Sequence, residues 1–95
     1  MGYTYLLECS DGSYYTGCTN DISKKFIEHQ NGQGIHYTAK RLPVKLVYLE
    51  RFASMDKALQ RKKQLQGWSR KKKEALIDKN FHLLPDLSKA YRDIL

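Results

Sequence analysis

The chain is poor in the residues that build cross-linked or metal-bound frameworks. Only two of its 95 residues are cysteines, Cys9 and Cys18, and they form no CxxC pair. That excludes a disulfide scaffold and a zinc module, so reduced thiols in a cytoplasmic protein are the expectation. The three histidines, His29, His36 and His82, lack metal-ligand spacing. No apolar run approaches the roughly 18 to 20 residues of a membrane span. The N-terminus lacks the basic head and small-residue cleavage site of a signal peptide. Acidic residues are also scarce: ten Asp plus Glu face seventeen Lys plus Arg, a formal charge of +7. On so small a surface this imbalance favours polyanionic partners, nucleic acid first among them. A soluble basic protein without such a partner is the plainer alternative.

What is present suffices for one modest core. Apolar residues make up 41% of the chain and aromatic ones 12%, and the length fits a single domain. Residues 3–9, "YTYLLEC", read as a strand, "SDGS" as a turn, and 14–18 as the returning strand. Two registers are open. A two-residue Asp11-Gly12 turn pairs Cys9 with Tyr14 and puts Tyr5 and Tyr15 on opposite faces. A three-residue loop with Gly12 in the left-handed region pairs Cys9 with Ser13, sets Tyr5 opposite Gly17, and brings both tyrosines to one face.

A helix from about Asp21 to Gln30 follows, with Thr19 or Asn20 as its N-cap and Gly32 beyond its end. Ile22 and Phe26 set its buried face, with Lys25 and His29 on the flank. Residues 31–43 form a loop holding a short helical turn, and 44–52, "VKLVYLERF", a third strand. Ser54 or Asp56 caps a second long helix that Gly67 stops, and Ser69 caps a third through about Lys79. In the tail, 80–95, Leu83, Leu84, Leu87, Tyr91 and Ile94 are spaced to pack a last short helix on the same domain. This order reads as an α+β fold with a small mixed or antiparallel sheet.

The spacing of Tyr5, then Tyr15-Thr16-Gly17, then Lys25 and His29, resembles the GIY-YIG nuclease superfamily, in particular its small stand-alone single-domain bacterial-type members. Tyr3 stands where the family name has glycine. "CTNDISKKFIEH" resembles the family's first helix, and 58–77, "ALQRKKQLQGWSRKKKEALI", the next two. The resemblance covers about residues 3–79. It implies a three-stranded antiparallel sheet flanked by helices, the bulged hairpin register, and metal-dependent phosphodiester hydrolysis in DNA. It makes Tyr5, Tyr15, Lys25 and His29 the catalytic candidates. Gly17, Lys24, Lys40, Arg41 and Lys62 are the substrate-binding candidates, and magnesium or manganese is the cofactor if the site is active.

Two positions depart from the family pattern. Lys25 replaces an arginine; it keeps the charge but loses the planar fork that grips two phosphate oxygens. Lys62 replaces the metal-binding glutamate. On a helical wheel Met55, Ala58, Leu59 and Leu65 define an apolar face with Lys62 near its centre, so its tip must reach water or a partner. An ammonium repels a cation: two unit charges about 4 Å apart cost roughly 4 kcal/mol at an effective dielectric of 20. Glu50 is the best remaining carboxylate, ahead of Glu28 and Glu8. The basic run 70–74, "RKKKE", with Lys57, Arg61 and Lys63, is either a solvated helix face or a phosphate-tracking surface. Base-reading apparatus is absent, so any preference is for nucleic-acid shape. Two main readings follow, a DNA-cleaving enzyme weakened at two positions or a catalytically inactive nucleic-acid-binding module of the same fold; a protein-interaction domain with no nucleic-acid role is a third.

Overall fold

A computed structural model of the protein describes residues 1–33 and 35–79; the tail 80–95, with the short helix expected there, lies outside the described residues. Three strands, β1 (Gly2–Glu8), β2 (Tyr14–Thr19) and β3 (Lys45–Phe52), form one antiparallel sheet in the order β2-β1-β3. The helices are α1 (Ile22–Gln30), the short α2 (His36–Ala39), α3 (Met55–Gln66) and α4 (Arg70–Lys79). The architecture is α+β.

The hairpin adopts the bulged register. Tyr5 pairs with Gly17 and Leu7 with Tyr15, while the Cys9 amide donates to the Ser13 carbonyl at 2.8 Å. Gly12 takes a φ of +84°, a conformation that only glycine adopts without steric cost. The Asp11 carboxylate accepts from the Ser13 amide and hydroxyl and so closes the loop. Because side chains alternate along a strand, this register fixes the chemistry of each face. Tyr3, Tyr5, Leu7 and Tyr15 share one face; Thr4, Leu6, Tyr14 and Thr16 share the other.

Each face is covered by its own helices. Ile22 and Phe26 of α1 pack with Tyr5, Leu7, Cys9, Val44 and Leu46 on the tyrosine face. Leu65 of α3 packs with Leu6 and Tyr48 on the opposite face, joined by Trp68, Leu76 and Ile77. Helix α1 starts one residue later than the pattern indicated, and its N-cap is Asp21, whose carboxylate accepts from the Lys24 amide at 3.1 Å. Thr19 instead accepts from the Asp21 amide, bracing the cap. At the far end the Gln30 side chain donates to the Val44 carbonyl (2.7 Å) and accepts from the Val44 amide (3.1 Å), tying α1 to the start of β3. Ser54, rather than Asp56, caps α3, and Ser69 accepts from the Lys72 amide at the start of α4.

Candidate active site

Tyr5 lies mid-strand on β1, between Gly17 of β2 and Leu49 of β3, and is 1% exposed. Its ring lies across β2: a Cβ at Gly17 would overlap the Tyr5 hydroxyl and stand 2.5 Å from its Cζ. Gly17 is therefore needed for close approach, not merely to end the strand. The Tyr15 ring sits beside this pair, its centroid 6.4 Å from that of Tyr5 and 5.3 Å from that of His29.

His29 enters the same face from α1. The pattern placed it on the helix flank with Lys25; in the structure it is fully buried in one row with Ile22 and Phe26. That i, i+4, i+7 row is the one that meets the sheet. Its Nε2 lies 3.1 Å from the Tyr5 hydroxyl and its Nδ1 2.7 Å from the Thr38 hydroxyl of α2. Burial, followed by the nearby Tyr15, pushes the Tyr5 phenol well above the ordinary tyrosine range. Burial also raises Tyr15. Burial first, then the Lys25 ammonium, depresses His29, against an opposing pull from Glu28. At neutral pH all three rings are uncharged.

The cations around this centre are placed unequally. Lys25 is partly exposed, with its ammonium 3.6 Å from Glu28 and close enough to act on His29. Lys24 and Lys40 point to solvent. Arg41 is committed to structure: it pairs with Asp11 at 3.0 Å, donates to the Tyr37 carbonyl, and stacks 3.8 Å above the Tyr37 ring centroid. Tyr37 in turn stacks on Tyr15 with centroids 6.2 Å apart. These two rings line a cleft of about 260 Å³ with Tyr14, Thr16, Gln66 and Lys73. Tyr37, Thr38, Gln66 and Lys73 were not foreseen as site residues. The nearest signal was the pair Tyr37-Thr38 in a glycine-containing connection, where functional groups concentrate.

Lys62 occupies a different position from the one its helical wheel suggests. Met55 and Leu59 are each 37% exposed, whereas Ala58 and Leu65 are fully buried, so the packed face is narrower and Lys62 falls on its flank, half-buried. Arg61 reaches back to Glu50 on β3, and Gln66, one turn after Lys62, lines the cleft with Tyr15. Gln66 thus borders the β2 edge, and Lys62 lies one turn before it on α3.

Glu50 does not join the tyrosines. It stands opposite Thr4 on β3, on the other face of the sheet, accepting from Tyr48 and pairing with Arg61 at 3.3 Å. Among the described residues no group of three or more His, Cys, Asp or Glu gathers to hold a metal ion. With an ammonium at position 62 and Glu50 engaged elsewhere, the described side chains do not fit a resident magnesium or manganese ion.

Comparisons with known proteins show the family and the fold. The model of the GIY-YIG catalytic domain matches residues 1–75. A UPF0213 protein of Staphylococcus saprophyticus is 49% identical over 75 residues, covering 79% of this chain and 92% of that one. A UPF0213 protein of Halobacterium salinarum is 45% identical over 77 residues, covering 81% of this chain and 100% of that one. Among solved structures, the solution NMR structure of a UPF0213 protein from Bacillus halodurans is 40% identical with a TM-score of 0.54, covering 82% of this chain and 84% of that one.

Proposed function

The chain belongs to the GIY-YIG family, and from that membership we propose that it acts on DNA as a phosphodiester hydrolase of reduced power. The observation that carries this reading is the hydrogen-bonded Tyr5–His29 pair, seated over Gly17 with Tyr15 beside it. The family's reaction draws on a divalent cation, which offsets charge developing on the phosphate. The residues here do not fit that ion, so no step is routed through it.

The chain's own groups supply the rest. The neutral His29 ring accepts the Tyr5 proton, which makes the phenol oxygen a better acceptor for a proton from water. The water oxygen bonds to phosphorus as the bond to the leaving oxygen breaks, solvent protonates that oxygen, and the proton held by His29 returns through the Tyr5 hydroxyl to solvent. Burial disfavours a free tyrosinate, so the two proton transfers run together rather than through a charged Tyr5. The Lys25 ammonium, and that of Lys62 on α3, oppose the negative charge of the phosphate. A lysine holds it as a point charge, without an arginine's bidentate grip.

A second reading, a nucleic-acid-binding module without cleavage, is favoured by one observation. Tyr5 and His29 are 1% and 0% exposed, and Tyr15 stands between them and the cleft. The deciding experiment is cleavage of single-stranded, duplex and branched DNA with magnesium or manganese. The unmodified chain is compared with Tyr5→Phe, Lys62→Glu and Lys25→Arg/Lys62→Glu. Slow cutting that Tyr5→Phe abolishes and the double variant accelerates is the expected result. DNA binding with no cutting by any variant selects the binding module. Failure to bind any DNA at low salt removes both readings.

A further inference from the structure

Thr38 makes no claim on attention in the sequence, yet it is fully buried against His29. Its position raises a question about protons. The bonds Tyr5–His29 and His29–Thr38 can run in two directions, because a neutral imidazole carries its proton on one nitrogen or the other. Counting the donors decides between them.

In the first arrangement the Thr38 hydroxyl donates to the Ile35 carbonyl, 3.0 Å away. Its oxygen then accepts from Nδ1–H of His29, and the bare Nε2 accepts from the Tyr5 hydroxyl. Three bonds form and each buried proton has an acceptor. In the second, Thr38 donates to a bare Nδ1, and Nε2–H donates to the Tyr5 oxygen. The Ile35 carbonyl loses little, since it already accepts from the Ala39 amide at 3.0 Å. The Tyr5 proton, however, is then left without an acceptor, since among the described residues His29 is the hydrogen-bond partner of this buried hydroxyl. A buried donor left unpaired carries its whole desolvation cost, so the first arrangement wins.

We propose that Thr38 is a positioning residue of this site, holding His29 with Nδ1 protonated and Nε2 bare toward the Tyr5 hydroxyl. Its effect is on direction. With Nε2 bare, His29 draws on the Tyr5 proton and leaves the phenol oxygen's lone pairs for a partner outside. With Nε2 protonated, the imidazole would occupy those lone pairs and could take no proton from Tyr5. Thr38 acts only through His29. Its side chain can do so because Arg41, paired with Asp11, holds the short helix α2 through its bond to the Tyr37 carbonyl. The role of Thr38 in catalysis rests on the hydrolase reading, but the state of His29 does not.

The test is the ¹⁵N NMR spectrum of the ring nitrogens in the full chain, recorded without DNA above the pH at which His29 titrates. The expected wild-type result is a protonated Nδ1 and an unprotonated Nε2 at His29. Thr38→Ser, which keeps the hydroxyl, retains that pattern. Thr38→Val, which keeps the shape and removes the acceptor, leaves Nδ1–H unpaired and so narrows the preference, and a measurable Nε2-protonated population appears. If the chain cuts DNA, Thr38→Val lowers kcat by about ten- to a hundredfold, the range that loss of the partner orienting a metal-bound histidine produces, with KM little changed, and Thr38→Ser keeps the wild-type rate. Finding Nε2 protonated in the wild-type chain overturns the proposal, even if Thr38→Val fails to fold. An unchanged tautomer in a folded Thr38→Val variant also overturns it. Cleavage with the wrong tautomer sinks this inference and spares the hydrolase reading; the expected tautomer without cleavage does the reverse.

Discussion

At the residue scale the site depends on one missing side chain and one uncharged ring. Gly17→Ala places a methyl group inside the Tyr5 hydroxyl, and the ring is hemmed in by a packed core. Overpacking of this kind costs about 1–3 kcal/mol. Denaturant titration should show a loss in that range, with displaced Tyr5 and His29 resonances. His29 makes a separate prediction. Its folded pKa is depressed, so below about 6.5 the unfolded chain binds a proton that the folded chain resists. Stability should therefore fall as pH drops through that value and continue falling until the folded ring also titrates. The slope contributed by one such group is at most about 1.4 kcal/mol per pH unit. Comparing unfolding of wild type and His29→Gln from pH 7.5 to 5 isolates it; an equal slope in both chains would falsify the assignment. Tyr5, Tyr15 and His29 were legible in the sequence because motif spacing survives in a linear chain. Thr38 was not, since nothing local marks a threonine whose partner lies nine residues back on another helix.

At the element scale, local chemistry accounts for the helix boundaries and tertiary contact for the helix faces. The Asp21 cap is a local device, and Asp21→Ala should lower stability by about 1 kcal/mol, with hydrogen exchange accelerating first over residues 22–26. The buried leucine of α3 is a larger stake. Leu65 is fully buried with Leu6 and Tyr48, and Leu65→Ala should cost about 2–5 kcal/mol, measured by chemical denaturation. The matching change at Leu59, which is 37% exposed, should cost far less. That contrast was invisible in the helical wheel, which weights every apolar residue alike. The covered face is narrower than the wheel: Leu59 falls outside it, Met55 lies against Gly2 of β1 yet stays partly exposed, and Lys62 is shifted to its flank. The hairpin shows the same division. Its sequence allowed two registers, and the observed one has Gly12 left-handed and Ser13 paired to Cys9.

On the scale of the whole molecule, the charge of +7 is not spread over equivalent cations. Arg41, Arg61 and Arg70 are engaged with Asp11, Glu50 and Glu74, and Arg61 and Arg70 also lie over Trp68 and Tyr14. The lysines Lys24, Lys40 and Lys71 are exposed, while Lys72 lies over Trp68; on the proposed action on DNA, those three are the groups to track phosphates. DNA affinity should then fall steeply with salt, by a log–log slope of about −0.9 for each phosphate neutralised on duplex. Replacing Lys40 and Lys71 by glutamine should flatten that slope while leaving thermal stability within about 0.5 kcal/mol. Fluorescence anisotropy across a salt series reads both chains; identical slopes would place the DNA elsewhere.

The sequence by itself determined the elements, the α+β class, the basic surface and the motif residues, because periodicity, turn chemistry and charge are properties of neighbours along the chain. The tertiary structure decided what those residues can do. It chose the register that sets Tyr5 over Gly17, turned His29 inward, and carried Glu50 to the far face. It also brought Thr38 to the nitrogen that governs the Tyr5–His29 bond. Those outcomes depend on distances between segments far apart in sequence, and on which buried protons find acceptors once water has been excluded.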